Sequence, residues 1–169
     1  MLAIFAWNFA VTSVDRRIRE RTFEGVFNGC RKIWSPRGLY RDRTEQNSIK
    51  SFNRAFARGA SGAEVDLHYD VRMNRFIISH DHPVEDEHGA LVYTTKNGEL
   101  LTLEALLKAV TPGRYFWLDF KNLDHLSVEE TEAAVARLQE LAANEDLKDR
   151  FYIEGSNPLR LVMYSDAGC

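Results

Sequence analysis

The chain has 169 residues, of which 44% are hydrophobic and 28% are charged, and its formal net charge is -3. This composition is typical of a soluble globular domain and excludes a disordered or fibrous class. The near balance of charges argues against a nucleic-acid partner. Two cysteines, Cys30 and Cys169, are too few for a disulfide framework and lack the spacing of a zinc site.

The N-terminal segment, residues 1–29, differs in pattern from the rest. Residues 1–14 carry no charged side chain, and Asp15, Arg16 and Arg17 follow them. This apolar stretch is shorter than the roughly 20 residues that span a bilayer. It is either the remnant of a membrane anchor with a basic flank, or a buried strand or helix that packs on the domain. The pattern leans towards the anchor, and with it towards a membrane-associated or extracytoplasmic location.

From residue 30 onward, short apolar runs alternate with amphipathic helical stretches that begin at capping residues. The predicted strands cover residues 31–35, 63–67, 76–79, 115–120, 151–154 and 159–164. The predicted helices cover residues 48–58, the stretch from Thr102 to the stop at Pro112 and Gly113, and the stretch that follows the capping box Ser127–Glu130. Residues 81–98 are predicted to form a loop.

This alternation favours an α/β fold with a parallel sheet built from βαβ units. The run at residues 115–120 is almost continuously apolar, which predicts a strand buried on both faces. Because about six strands are predicted and the sequence stops within or just after the last of them, an incomplete sheet with an open edge is expected.

Four groups of polar residues lie at or near the predicted strand ends, where α/β folds place their active sites. Two of the groups follow a two-residue period, which puts their side chains on one face of a strand. The groups are Pro36-Arg37-Gly38, Glu64-Asp66-His68, His80-Asp81 and Asp119-Lys121.

Carboxylates inside a buried strand are costly unless they are paired or bind a metal. Glu64, Asp66 and Asp119 would offer only oxygen ligands, which suit a hard divalent cation such as Mg²⁺ or Ca²⁺. The alternative is that Glu64 and Asp66 form structural salt bridges with Lys121 and Arg37. On the metal interpretation, these two cations would face an anionic substrate, and His80 would act as a general acid or base.

The order and spacing of these groups resemble the glycerophosphodiester phosphodiesterase family. That family has a His-Arg-Gly motif after its first strand, a Glu-Asn-Thr/Ser element that opens the first helix, a GxExD strand, a His-Asp pair and a carboxylate-x-lysine strand. The corresponding runs here are SPRGLYRDRTEQNSIKSFNRAFARGASGAEVDLHYD, FIISHDHP and WLDFKN. The resemblance covers roughly residues 31–165.

The resemblance implies a TIM barrel, of which residues 30–169 would form about the first six strands, and a metal-dependent hydrolysis of glycerophosphodiesters to glycerol phosphate and an alcohol. A closed barrel usually needs about 250 residues, so an incomplete barrel is expected. The implied metal ligands are Glu64, Asp66 and Asp119. The implied catalytic and substrate-binding residues are His80, Arg37, Lys121 and Glu45.

Three positions depart from the family pattern. Pro36 replaces the first catalytic histidine, so the chain is expected to be impaired or to be a pseudoenzyme that binds metal and phosphate without turnover. Asp119 stands where most of these enzymes have glutamate, which resembles the sphingomyelinase D relatives and leaves a phospholipase of that kind as an alternative. Gln46 replaces the glutamate of the helix-opening element, with Glu45 beside it. His68 is a candidate substitute for the missing histidine.

Overall fold

A five-stranded, mostly parallel sheet lies at the centre of the described structure. The structure, a computed structural model, describes residues 33–94, 99–110, 112–145, 147 and 149–169. The sheet strands are β1 (Trp34–Pro36), β2 (Gly62–Asp70), β3 (Arg75–Ile78), β6 (Tyr115–Phe120) and β7 (Phe151–Gly155), and a separate hairpin comprises β4 (Val84–Glu85) and β5 (Leu91–Val92). The helices are α1 (Ile49–Ala57), α2 (Leu103–Ala109), α3 (Val128–Asn144), α4 (Pro158–Asp166) and a 3-10 turn at Arg43–Glu45.

The predicted N-terminal segment, residues 1–29, lies outside the described residues, and so do residues 95–98 of the predicted loop. Within the described part of the chain, no helix combines the length and the apolar character that crossing a bilayer requires.

Strand β2 organises the sheet because three strands pair with it. Strands β1 and β6 run parallel to β2, β7 runs parallel to β6, and β3 runs antiparallel to β2 beyond the end of β1. Among the described strands, β7 pairs with β6 alone, so the sheet does not close into a barrel. The α/β class is confirmed.

Strand β3 is the exception to the parallel order of the sheet. Only the turn at residues 71–74 joins β2 to β3, and a parallel crossover needs a dozen residues or more. The two strands therefore form a hairpin, in which His68 lies opposite Ile77 and Asp70 lies opposite Arg75. Through this hairpin the Ser79 N–H donates to the Asp66 carbonyl at 3.2 Å, so the neighbouring His80 is held near Asp66.

The predicted sixth strand, residues 159–164, is also wrong, because this stretch lies in helix α4. The Asn157 side chain accepts hydrogen bonds from the N–H groups of Leu159 and Arg160 at 3.1 and 3.2 Å, and Pro158 occupies the first turn. Asparagine as N-cap followed by proline is a helix-start signal. A short apolar run alone does not distinguish a strand from a helix.

The two faces of the sheet differ. On one face, Phe116, Leu118 and Phe120 of β6 are buried, and they belong to the hydrophobic core that also includes residues of the helices. On the other face, Trp117 is 40% exposed, and its ring contacts Trp34 at a centroid distance of 6.2 Å. The expectation that β6 is buried on both faces was therefore wrong. The less covered face carries the polar residues of the candidate site.

Candidate active site

Three carboxylates converge where the middle of β2 lies beside the carboxyl end of β6. Asp66 lies directly beside Asp119 in the parallel register, and Glu64 lies two residues earlier on the same face of β2. One carboxylate oxygen from each of the three residues lies within 4.8 Å of the others. The structure thus brings together the predicted metal ligands, while their role in binding a cation stays a prediction.

Asp66 is fully buried and is surrounded by donors. Its Oδ2 lies 2.9 Å from Arg37 Nε and accepts a 2.6 Å hydrogen bond from Asn47 Nδ2. Its Oδ1 lies 2.7 Å from the Lys121 ammonium, which also pairs with Asp119. The salt bridges considered as an alternative therefore form at Asp66, with both of the cations that were predicted to take part.

Glu64 is in a different situation. Among the residues that the structure describes, no hydrogen bond or ion pair reaches its carboxylate. Burial raises the pKa of Glu64 to about 7, the negative charge of Asp66 adds to the rise, and the Arg37 cation opposes it. The two cations Arg37 and Lys121 thus pair with Asp66 and Asp119, while the half-buried Glu64 carboxylate forms no ion pair in the described structure. An oxygen-only cluster with an excess of negative charge has the donor set that a hard divalent cation prefers.

Asn47 is a site residue whose role the sequence analysis missed. Its side chain donates to Asp66 and accepts the Asp66 N–H at 3.3 Å, and its own N–H donates to the Arg37 carbonyl at 3.0 Å. Its φ is +53°, a left-handed value that asparagine tolerates better than most residues. The available signal was its place in the helix-opening element of the family pattern.

Arg37 is held by the backbone at the end of β1. Its N–H donates to the Glu64 carbonyl at 3.0 Å, and its φ is +56°. The following Gly38 has a φ of +79°, and a Cβ there would lie 2.7 Å from the backbone carbon of Ser51. Glycine is therefore required for this tight turn, which directs the Arg37 side chain to Asp66.

A cleft of about 540 Å³ connects Arg37 to His80. Its other lining residues include Tyr40, Arg43, Gln46 and Asn47. The His80 side chain is 46% exposed, and its Nδ1 lies 2.9 Å from the Asp81 carboxylate. If Nδ1–H donates to Asp81, Nε2 is the nitrogen left for a substrate. The structure therefore places two of the predicted catalytic residues, Arg37 and His80, in one cleft, and Arg37 connects this cleft to Asp66.

Glu45 takes part in a separate network. Its carboxylate binds Arg54 at 2.7 Å and Lys50 at 3.1 Å, and it accepts the Arg41 N–H at 2.9 Å. The hydrogen bond from Arg54 holds the pKa of Glu45 well below its usual range. Its role in substrate binding stays a prediction. The adjacent Gln46 accepts a 3.4 Å hydrogen bond from Arg37.

Pro36 is the last residue of β1 and lies beside Glu64 in the parallel register. The two-residue period of a strand puts it on the same face as Trp34, which is the face of the site. The position is therefore suitable for a site residue, but proline supplies no group that titrates. His68, the candidate substitute, is fully buried, and burial lowers its pKa to about 4.

Solved structures of glycerophosphodiester phosphodiesterases are similar to this chain. The enzyme from Parabacteroides distasonis is 25% identical, with a TM-score of 0.59, over 75% of this chain and 57% of that chain. The enzymes from Thermotoga maritima and Agrobacterium tumefaciens are 16% and 15% identical, with TM-scores of 0.56 and 0.58, over 82% and 81% of this chain.

The match covers 60% and 63% of those two enzymes, so this chain spans somewhat less than two thirds of the length of its structural relatives. No protein-family model and no curated protein matches it. The similarity agrees with the order of the motifs along the chain. The resemblance predicted from the sequence is therefore confirmed: the chain is an α/β protein whose fold is similar to part of the fold of glycerophosphodiester phosphodiesterases.

Proposed function

We propose that this protein is a divalent-cation-dependent phosphodiesterase that hydrolyses glycerophosphodiesters to glycerol phosphate and an alcohol, with a turnover reduced by Pro36. Lysophospholipid-like diesters are included in the proposed substrate class. The observation that carries the proposal is the convergence of carboxylate oxygens of Glu64, Asp66 and Asp119 within 4.8 Å on two neighbouring strands. Membrane association through residues 1–14 is part of the same proposal.

Glu64, Asp66 and Asp119 would hold the cation, either Mg²⁺ or Ca²⁺. The unmatched Glu64 carboxylate supports this assignment, because a bound cation would neutralise a charge that no protein group in the described structure pairs with. The cation would stabilise the negative charge that develops on the phosphoryl oxygens.

Two cations of the chain would bind the phosphodiester. The Arg37 side chain is 29% exposed and lines the cleft, so its guanidinium can contact a phosphate while Nε stays on Asp66. Lys121 bridges Asp66 and Asp119 and is 20% exposed, which places an ammonium group beside the proposed metal ligands. These contacts would orient the diester relative to His80.

His80 would transfer one of the two protons that hydrolysis moves. Its hydrogen bond to Asp81 fixes the ring, as carboxylate partners do for catalytic histidines. The second transfer has no group at position 36, and losing one acid or base typically costs on the order of 10²–10⁴-fold in rate. This loss also supports a second candidate function, a pseudoenzyme that binds the cation and phosphate without turnover. Asp119 in place of glutamate supports a sphingomyelinase D-like reaction as a variant of the first.

Hydrolysis of glycerophosphocholine, followed as release of glycerol phosphate, tests the proposal. We expect slow release that requires Mg²⁺ or Ca²⁺, that stops with EDTA and that is lost in Glu64→Gln. The matched control is Glu132→Gln, an exposed carboxylate on α3. Cation-dependent binding of glycerol phosphate without any release would favour the pseudoenzyme, and release that ignores both EDTA and Glu64→Gln would contradict the proposal.

A further inference from the structure

A second cleft, of about 720 Å³, contains three histidines that the proposed reaction does not use. His68, His82 and His125 all line it, and it has no lining residue in common with the cleft that contains His80. His68 lies on β2, His82 follows β3, and His125 follows β6. Three separate parts of the chain thus bring imidazole groups to one cleft.

The spacing of the three rings suits a shared metal ion. The ring centroids of His68 and His82 are 5.2 Å apart, and those of His82 and His125 are 5.6 Å apart. Two imidazoles on one tetrahedral ion, each with a metal–nitrogen bond of about 2.1 Å, would have centroids about 5 Å apart. The observed centroid distances are therefore close to those of a shared ion.

His68 provides an independent observation that points to a ligand. It is fully buried, and the backbone of Asp81 interacts with its ring, which occupies at most one of the two ring nitrogens. Buried polar side chains are almost always satisfied, so the nitrogen that has no partner in the described structure requires an explanation. A metal ion bound to that nitrogen would supply it.

Three of the other polar residues of this cleft already have hydrogen-bond partners. Asp70 accepts a hydrogen bond from the Tyr93 hydroxyl at 3.0 Å, Glu130 accepts the Ser127 N–H at 2.7 Å, and the Asn122 side chain donates to the Tyr69 carbonyl at 3.0 Å. Besides the three imidazole groups, the cleft is also lined by the exposed carboxylate of Glu85. Imidazole groups select Zn²⁺ and similar transition metals, in contrast to the oxygen-only cluster of the candidate active site.

We propose that His68, His82 and His125 form a binding site for a transition-metal ion of the Zn²⁺ type, separate from the carboxylate cluster. Their ring nitrogens do not all lie within 4.8 Å of one another in the structure, so binding requires the rings to turn. His82 is exposed, and the His125 side chain is 66% exposed, so both can rotate towards the buried His68. The Asp124 carboxylate, 3.6 Å from His125 Nε2, lies close enough to help orient that ring.

Titration of the whole protein, prepared without a histidine tag, with Co²⁺ and Zn²⁺ tests this proposal. Visible absorption reports the coordination of Co²⁺, and calorimetry reports the affinity for Zn²⁺. The variants are His82→Ala and His125→Ala, which replace exposed side chains and leave the buried His68 in place. The matched control is His88→Ala, in the turn between β4 and β5, where the His88 side chain is 81% exposed.

We expect saturable binding that a large excess of Mg²⁺ does not displace. Each of the two variants should weaken it by more than about tenfold, since even the outer-shell partners of a metal ligand contribute roughly 10–100-fold. His88→Ala should leave the affinity unchanged. The proposal is overturned if Zn²⁺ does not bind, if Mg²⁺ displaces it, or if His82→Ala and His125→Ala bind as tightly as the parent protein.

Discussion

Replacing Glu64 with glutamine should stabilise the protein when no divalent cation is present, although it removes a proposed metal ligand. Burial and the neighbouring Asp66 raise the pKa of Glu64 from 4.5 to about 7, so the fold favours the neutral carboxyl group. A raised pKa of an acid means that the folded state binds more protons than the unfolded state between these two pH values. The free energy of unfolding therefore falls as the pH rises from about 4.5 through about 7.

The size of the effect follows from the same shift. A change from 4.5 to about 7 corresponds to about 3 kcal/mol without screening. Glu64 is only half-buried, and solvent screening reduces this to about 1–2 kcal/mol. Glutamine keeps the shape of the side chain and cannot ionise. At pH 8, the free energy of unfolding of Glu64→Gln should therefore exceed that of the parent protein by this amount, and at pH 5 the difference should be very small.

Urea denaturation in EDTA at pH 5 and pH 8 measures the difference, with Glu132→Gln as the matched surface control. At pH 8, Glu64→Gln should be more stable than the parent protein, and Glu132→Gln should equal it. Adding Mg²⁺ or Ca²⁺ should reverse the order. A cation present at 100 times its dissociation constant would stabilise the parent protein by about 2.7 kcal/mol, and Glu64→Gln should gain little. A stability gain that is equal at pH 5 and pH 8, or a loss at pH 8, would refute the electrostatic reasoning.

Three further predictions concern the surroundings of the site. Asn47→Ala should cost about 1–3 kcal/mol in urea denaturation, because it removes one of the hydrogen-bond donors to the buried Asp66 carboxylate; an unchanged midpoint would count against that contact. Phe52→Ala should cost about 3–5 kcal/mol, because Phe52 is fully buried in the core, and a loss below 1 kcal/mol would contradict its packing. Pro36→His should raise glycerophosphocholine turnover by about 100-fold or more, and His80→Ala in that background should remove the gain. If the parent protein, with Pro36, already turned over as fast as Pro36→His, hydrolysis by this protein would not need two histidines.

The main features of the site could be predicted because strand geometry is simple. A two-residue period puts Glu64 and Asp66 on one face, and the parallel register of β2 and β6 places Asp119 beside Asp66. Charged residues within otherwise apolar strands then indicated that β2 and β6 contribute to one polar site. The caps at Ser48 and Ser127 were equally visible, because capping depends on residues close in sequence.

The missed features depend on contacts that are distant in sequence or on a competing local signal. Nothing in the local pattern of Asn47 shows that its side chain reaches Asp66, because nineteen positions separate the two residues. The antiparallel pairing of β3 follows from the short turn at residues 71–74, and the apolar run at residues 159–164 concealed a helix that Asn157 and Pro158 start. The histidine cluster combines residues from three parts of the chain, so only the fold brings them together.

Calorimetric titration of the protein with Mg²⁺ and Ca²⁺ tests most directly whether the three carboxylates form a cation site. We expect one of these ions to bind saturably, and Glu64→Gln and Asp119→Asn should each abolish the binding while both variants stay folded by circular dichroism. Glu132→Gln should bind like the parent protein. Binding that survives both substitutions, or no binding of either ion to the folded parent protein, would contradict the assignment of Glu64, Asp66 and Asp119 as the metal ligands.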